Sequence, residues 1–406
     1  MVEIELSTIP DAEIDLQVMK SLLAEFNNQY GVMVRLNTMT WGTAWTDFVT
    51  IASHGKGPDL SHIGGTWVSS LAIMNALRPF SFKDIEEMGG EKAFLAPTWH
   101  SGLLYGDKRI WSIPWTGYTF VVCYRKDLLG QLGIDGETAF GSIEAMSSTV
   151  RTLERSHFEI PWLMPSAPPP YSDLVHMAAS WIWEAGGDYI HIDESGEEIV
   201  LNSPEALRGI KAWLELYRVV PEAYASLNQF ESSNLFAHGR AAAVIADNRF
   251  ASSVLASSAE EVVKKNLGVA PLTGVPWYGG GSLVIWRHTQ GYPERERAAV
   301  QLVRFLTGKA AELRWAKEVH SLPARVEVLH ELYPADSPLN HVFTRASEMG
   351  RAYPAVPLWR RLEYQIAQGL AQCLHEVREN PSKDIETILH SHLDPLAERL
   401  NLTLKG

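Results

Sequence analysis

From its first residues the chain alternates two hydrophobic periods. Val2 to Thr8 places apolar side chains at alternate positions, the period of a half-buried strand. Ile14 to Tyr30 follows with Leu16, Met19, Leu22, Leu23 and Phe26 at helical spacing. Val32 to Met39 alternates again, Trp45 to His54 reads as a second helix, and Gly57-Pro58-Asp59 turns the chain into a short strand, Leu60 to Ile63. A helix resumes over Leu71 to Leu77. This βαβαβ order predicts an α/β protein with a mostly parallel sheet flanked by helices. Ligands of such sheets lie beyond the carboxyl ends of the strands.

Those strand ends have related contents. The first runs into Ser7, Thr8 and Pro10, the second into Thr40, Trp41 and Gly42 with Trp45 beyond, and the third into Gly64-Gly65-Thr66-Trp67. Small, polar and tryptophan residues thus recur at one end of one sheet. Further on, the stretch WSIPWTGYTFVVCYRKDLL (Trp111 to Leu129) holds an apolar strand, Phe120 to Tyr124, whose entrance carries Pro114, Trp115, Gly117 and Tyr118.

The remaining pattern is mixed. Ser142 to Leu153 and Leu174 to Ala185 are helical, the latter closed by Gly186-Gly187. Ile190 to Leu201 reads as a hairpin, and Asn202-Ser203-Pro204-Glu205 starts another helix with proline at its first position. Strands are expected over Ala241 to Ala246, Leu267 to Leu272 and Leu283 to Trp286, with the glycine run Gly279 to Gly281 leading into the last. Arg295 to Leu306 and most of the chain after Pro338 are helical. Trp213, inside its helix, is expected in the core.

At 406 residues two domains are the natural expectation. Hydrophobic residues at 46% and charged ones at 20% describe a globular chain, and no apolar run approaches the roughly 20 residues of a membrane span. Lys+Arg 35 against Asp+Glu 48 leaves −13, which argues against nucleic acid as a partner. Arg295, Arg297 and Arg304 alternate with Glu294 and Glu296 and read as a solvated helix face. Cys123 and Cys373 are expected as two buried free thiols. Met1 leads straight into VEIELSTIP without a basic or apolar leader, so the expectation is either a cytoplasmic protein or one whose export segment has been removed.

Catalytic and metal signatures are missing. There is no HExxH, CxxC, GxSxG or GxxxxGK[ST], so no cofactor or metal is expected; Gly279 to Gly281 lacks the lysine of a phosphate loop and enters a strand. Asp59 and Asp247 read as turn residues. A pair of carboxylates at glycosidase spacing remains an alternative that residues alone leave open. What the chain does hold is 14 Trp, 13 Tyr and 13 Phe, many beside glycine, proline or polar residues. Flat rings pack on the C–H faces of sugars while polar groups bond their hydroxyls.

The order of segments resembles the extracellular solute-binding proteins of the type-1 family, the carbohydrate-binding components of ABC importers, maltose-binding proteins among them. The segments are Gly57-Pro58-Asp59-Leu60, Leu77-Arg78-Pro79-Phe80, Trp111 to Pro114 through Tyr124 to Leu128, Glu184 to Asp188, Asn202 to Ala206, and Phe236 to Ala242. Leu267 to Leu272, Gly280-Gly281-Ser282 and Ser321 to Arg325 complete the set. The resemblance implies a two-lobe periplasmic-binding-protein fold of type II. Each lobe would be a mostly parallel sheet flanked by helices, with the ligand cleft between them. The boundaries expected are 1–116 with 279–320 for the N-terminal lobe, and 117–278 with 321–406 for the C-terminal lobe.

It further implies a monomer that closes about a di- or oligosaccharide, presents it to a membrane permease and performs no chemistry. The protein would work in the periplasm or as a cell-surface lipoprotein. Carried over by position, the ligand contacts fall on Trp41, Thr66 and Trp67; on Trp115 and Tyr118 near the crossing; on Tyr171; on Asp247, Asn248 and Arg249; on Gly280 and Ser282; and on Tyr353 and Trp359. Replacing Trp115 by alanine is expected on this reading to weaken binding with little loss of stability. The alternatives are a secreted glycoside hydrolase or sugar-modifying enzyme, a binding protein for a non-sugar solute, and a sensor subunit of the same fold.

Overall fold

The computed structural model describes residues 2–167, 173–194 and 196–405. In chain order the strands are β1 (Val2–Thr8), β2 (Val32–Thr38), β3 (Leu60–Gly64), β4 (Leu77–Arg78), β5 (Ile113–Arg125), β6 (Ile190–Asp193), β7 (Gly196–Ile199), β8 (Ala243–Asp247), β9 (Leu267–Pro271), β10 (Tyr278–Trp286) and β11 (Leu322–Pro323). The chain forms two compact units, Met1–Tyr118 with Tyr278–Arg360, and Thr119–Trp277 with Arg361–Gly406. It therefore passes between them at Tyr118–Thr119, Trp277–Tyr278 and Arg360–Arg361.

The first unit is built on the sheet order β11-β5-β10-β3-β1-β2, with β4 on the edge of β10. β1 runs parallel to β2 and β3, as the βαβαβ pattern requires, and β10 returns antiparallel to β3. Alternation sorts the side chains into two cores. Ile4, Leu6, Leu60, Leu283, Ile113 and Trp115 meet the helices Glu13–Tyr30, Pro293–Leu306 and Lys309–Val319 on one face; Ile63, Val284 and Trp286 meet Phe48, Trp67 and Leu71 on the other. Asp59, in the bend before β3, is fully buried. Its carboxylate accepts from the Glu5 backbone N–H (2.8 Å) and from Arg295 (2.8 Å), tying the entrance of β3 to β1 and to the helix Pro293–Leu306. The carboxylate beside it raises the Arg295 pKa, so this arginine does not belong to a purely solvated face.

In the second unit the carboxyl half of β5 lies between β8 and β9, both antiparallel to it, and Ile160 and Leu163 extend the sheet through bridges to Ala241 and Val244. Ser142 and Ser203 cap the helices Ile143–Arg155 and Pro204–Tyr217, accepting from Ala145 and Ala206 N–H, with Pro204 at the first position. The hairpin β6–β7 forms as expected, and Trp213 is fully buried. Cys123 and Cys373 are buried free cysteines; burial pushes the Cys373 thiol up to about 12 and the Cys123 thiol higher still. Among the described residues no helix is long and apolar enough to cross a membrane.

Three expectations are corrected. The helix expected over Leu71 to Leu77 spans Val68–Ile73; beyond its cap at Met74 the chain turns at Asn75, whose φ is +54°, and Leu77 and Arg78 pair with β10 instead. The glycines before Leu283 lie inside β10, not in a loop leading to it. Residues 321–360 belong to the first unit, where Leu322 pairs with Gly117 and the Arg325 guanidinium is buried against the carbonyls of Thr307 and Met88. Helical periodicity marks an apolar face, and only the partner reveals which core that face covers.

Candidate functional site

In the first unit the carboxyl ends of β1, β2 and β3 bring together an aromatic group. Trp41 stands beyond β2, 40% exposed, with its indole N–H donating to Asp11 Oδ1 at 2.7 Å. Its ring meets Trp67 edge-on at 5.5 Å, and Trp45 and Phe48 reach Trp67 in the same T-shaped manner at 5.9 and 6.0 Å. Edge-to-face pairs at these separations use the positive ring edge against the negative face, so each indole holds its neighbour's orientation. Trp67, 6% exposed, is the wall of this group; Trp41 is its available surface. The Arg360 guanidinium lies over both Trp67 and Trp45, 5.5 and 5.9 Å from the ring centres. Thr66 is half-buried in the 3-10 turn Gly65–Trp67 that follows β3.

Backbone approach explains the glycines here. Gly280 has φ +151°, and a β-carbon on it would stand 1.8 Å from the Thr116 carbonyl oxygen. Gly117 sits in β5 with the Tyr278 hydroxyl 2.6 Å from where its β-carbon would be, so it serves close packing.

His62, on β3, lies at the base of this end of the sheet. Its Nδ1 is 3.3 Å from Thr8 Oγ1, its ring meets Trp115 edge-on at 4.9 Å, and burial lowers its pKa to about 4, so the imidazole is neutral at physiological pH.

Several residues expected as contacts are core. Trp115 is fully buried between His62 and Trp315, 4.5 Å from the latter, because the alternation that puts Ile113 into the core puts Trp115 there too. Ser282 is buried within β10 opposite Ile63. Tyr353 and Trp359 are buried and stacked on one another at 4.4 Å. Tyr118 is half-buried at the last position of its segment in the first unit, and Gly280 is half-buried.

In the second unit the carboxyl end of β8 carries the other expected group. Asp247 is a helix cap, its carboxylate accepting from Phe250 N–H at 2.7 Å. Asn248 is fully buried with Oδ1 accepting from Thr119 N–H at 3.1 Å, and Arg249 is half-buried. The Thr119 hydroxyl donates to the Trp277 carbonyl (2.7 Å), and Trp277 N–H donates to Ser180 Oγ (3.0 Å). Trp277 stacks nearly parallel on His176 at 3.9 Å. Buried side chains therefore clamp the backbone beside two of the three passages. Tyr171 lies outside the described residues.

The structure brings Trp41 and Trp67 together, with Thr66 in the same turn as Trp67, and adds Asp11, His62, Trp277 and Arg360, which the sequence reading passes over. Asp11 could have been found as the acid following the first strand. Arg360 carries no local signal, since its aromatic partners are some three hundred positions away.

An α/β protein of this topology, with aromatic and polar groups at the carboxyl ends of its strands, has the architecture of a solute-binding protein. The chain belongs to the bacterial extracellular solute-binding protein family, which it matches over residues 21–339. No significant match is found among curated proteins. Solved structures share the fold over the whole chain. The maltose-bound MalE3 of T. maritima has 23% identity and a TM-score of 0.82, with 100% of each chain covered. An ABC transporter solute-binding protein of Thermotoga lettingae bound with α-D-tagatose has 20% identity, 0.78, and 100% of each chain. The GacH receptor of Streptomyces glaucescens, described unliganded and with acarbose, has 18% identity, 0.78, and coverage of 100% and 99%. These establish a periplasmic-binding-protein fold of the MalE type.

Proposed function

We propose that this protein captures a carbohydrate, a di- or oligosaccharide, outside the cytoplasm and delivers it to a membrane permease by hinge closure, without chemical change. The observation that carries this reading is the fixed Trp41–Trp67–Trp45 group with Asp11 at the carboxyl ends of β1 to β3. An exposed indole, held edge-on by its neighbours and bonded to a carboxylate, offers a flat apolar face beside a hydrogen-bond acceptor. Pyranose rings present the complementary pair, C–H faces and hydroxyls. The saccharides and polyols bound by proteins of the same fold support the class of solute. The expected contact set is Trp41, Thr66 and Trp67 of the first unit with Tyr118 and Gly280, and Asn248, Arg249 and Tyr171 of the second.

A thermal-shift screen is expected to give a large rise in melting temperature with one or a few saccharides, because a solute that binds only the native state stabilises it. A shift with charged solutes and none with sugars would assign a different solute class. Release of hydrolysis products from oligosaccharides would make the protein a glycosidase. Small-angle scattering is expected to show contraction on adding the sugar that shifts melting; unchanged scattering at saturation would exclude closure.

Trp41→Ala is expected to raise the Kd of that sugar about tenfold or more, at least about 1.4 kcal/mol, with little change in stability because the ring is exposed. Calorimetric titration checks it, and wild-type affinity in the variant would remove Trp41 from the site.

A further inference from the structure

β3 ends in Gly64, which lies opposite Gly281 inside β10. A β-carbon at Gly64 would come within 3.7 Å of both Trp41 and Trp67; one at Gly281 would stand 2.1 Å from His62 Nε2 and 2.8 Å from Thr116 Oγ1. The two glycines thus form a strip without side chains, bounded by indoles at one end and by an imidazole nitrogen and a hydroxyl at the other. Strand alternation puts His62 on the same face as Gly64.

The polar end of the strip is held in place. Thr116 Oγ1 accepts from Gly281 N–H at 3.0 Å, and His62 is braced by Thr8 through Nδ1 and by Trp115 against its ring. His62 is 8% exposed, and its Nε2 is buried with no hydrogen-bond partner in the protein. A buried polar atom left unsatisfied costs stability, and such a cost persists where the atom serves a ligand.

We infer that His62 is a specificity-determining residue of the first unit's site, its Nε2 bonding a hydroxyl of a sugar whose ring packs toward Trp41. A hydroxyl suits either ring tautomer: it accepts from Nε2–H and donates to bare Nε2. A carboxylate or an ammonium suits only one. Thr116 offers its own hydroxyl to a neighbouring position on the same sugar. This rests on the carbohydrate reading above and adds to it a selection for a hydroxyl at one ring position.

The test compares wild type with His62→Leu and His62→Gln, using maltose, acarbose and D-tagatose as probes in calorimetric titration and melting. The expected result is binding of at least one probe by wild type, about tenfold or greater loss in His62→Leu, and recovery of most of that affinity in His62→Gln. The ligand-free melting temperature of His62→Leu should equal or exceed that of wild type, since an unsatisfied polar atom is removed. Should His62→Leu fail to fold, the imidazole 15N resonances of wild type decide: a shift of Nε2 with the bound probe supports the assignment. Wild-type affinity in His62→Leu, or an unmoved Nε2 resonance at saturation, overturns it while leaving the carbohydrate reading intact. If no probe binds wild type, the carbohydrate reading fails for these sugars and the His62 assignment falls with it.

Discussion

Trp115→Ala is expected to lower the unfolding free energy by about 3–5 kcal/mol, the range for emptying a buried tryptophan site. Trp115 is fully buried, enclosed by His62, Trp315 and the core of the first unit. Its indole nitrogen has no hydrogen-bond partner, so the loss is one of packing and apolar burial, with no polar contact to compensate. His62 is on β3 and Trp315 on the helix Lys309–Val319, so filling the space would require an element to move. Denaturant unfolding measures this directly, and Trp115→Phe should cost markedly less. A loss under about 1 kcal/mol, with sugar affinity falling instead, would return Trp115 to the ligand surface.

The second large effect is a pH dependence set by Glu312. This carboxyl is wholly buried on the helix Lys309–Val319; burial pushes its pKa up to about 8, against the backbone N–H groups of Arg325 and Ala324 and the Arg325 charge, which act to lower it. Its Oε1 accepts from those two N–H groups at 2.9 and 2.5 Å and so anchors the chain just after β11. The folded pKa lies above the unfolded value, so the native state holds the proton more tightly. The stabilisation is complete below about pH 4.5 and is lost as pH rises toward 8, by up to about 1.4 kcal/mol per pH unit.

His62 acts with the opposite sign. Its pKa falls to about 4, so its contribution is present above about pH 6.5 and is lost as pH falls toward 4. The window that isolates Glu312 is therefore about pH 6.5 to 8. There Glu312→Gln, whose amide oxygen can keep both backbone bonds, is expected to remove the downward slope of stability. An unchanged slope in the variant would place the titration elsewhere.

Much of the frame was legible before any coordinates. The alternation of Val2 to Thr8 and Val32 to Met39, and the helical spacing of Leu16 to Phe26, place their elements almost to the residue. Ser203-Pro204 and Ser142 start their helices as cap chemistry requires. The recurrence of tryptophan after β2 and β3 foreshadows the Trp41–Trp67 contact, since the carboxyl ends of parallel strands meet wherever they lie in sequence. Less legible was which aromatics face solvent. Trp41 and Trp115 both stand near glycine at a strand end, yet one is exposed and the other is core.

What the sequence by itself determined is most of the elements, their order and the expectation of two units. Those follow from period, caps and composition, which are local or summed properties. The tertiary structure alone decided that Asp59 binds Arg295, that Arg360 lies over Trp45 and Trp67, and that His62 stands at the end of a glycine strip. It also decided that residues 321–360 belong to the first unit. A period of two names the two faces of a strand but not what covers either of them. That depends on contacts between positions hundreds of residues apart, which exist only once the chain has folded.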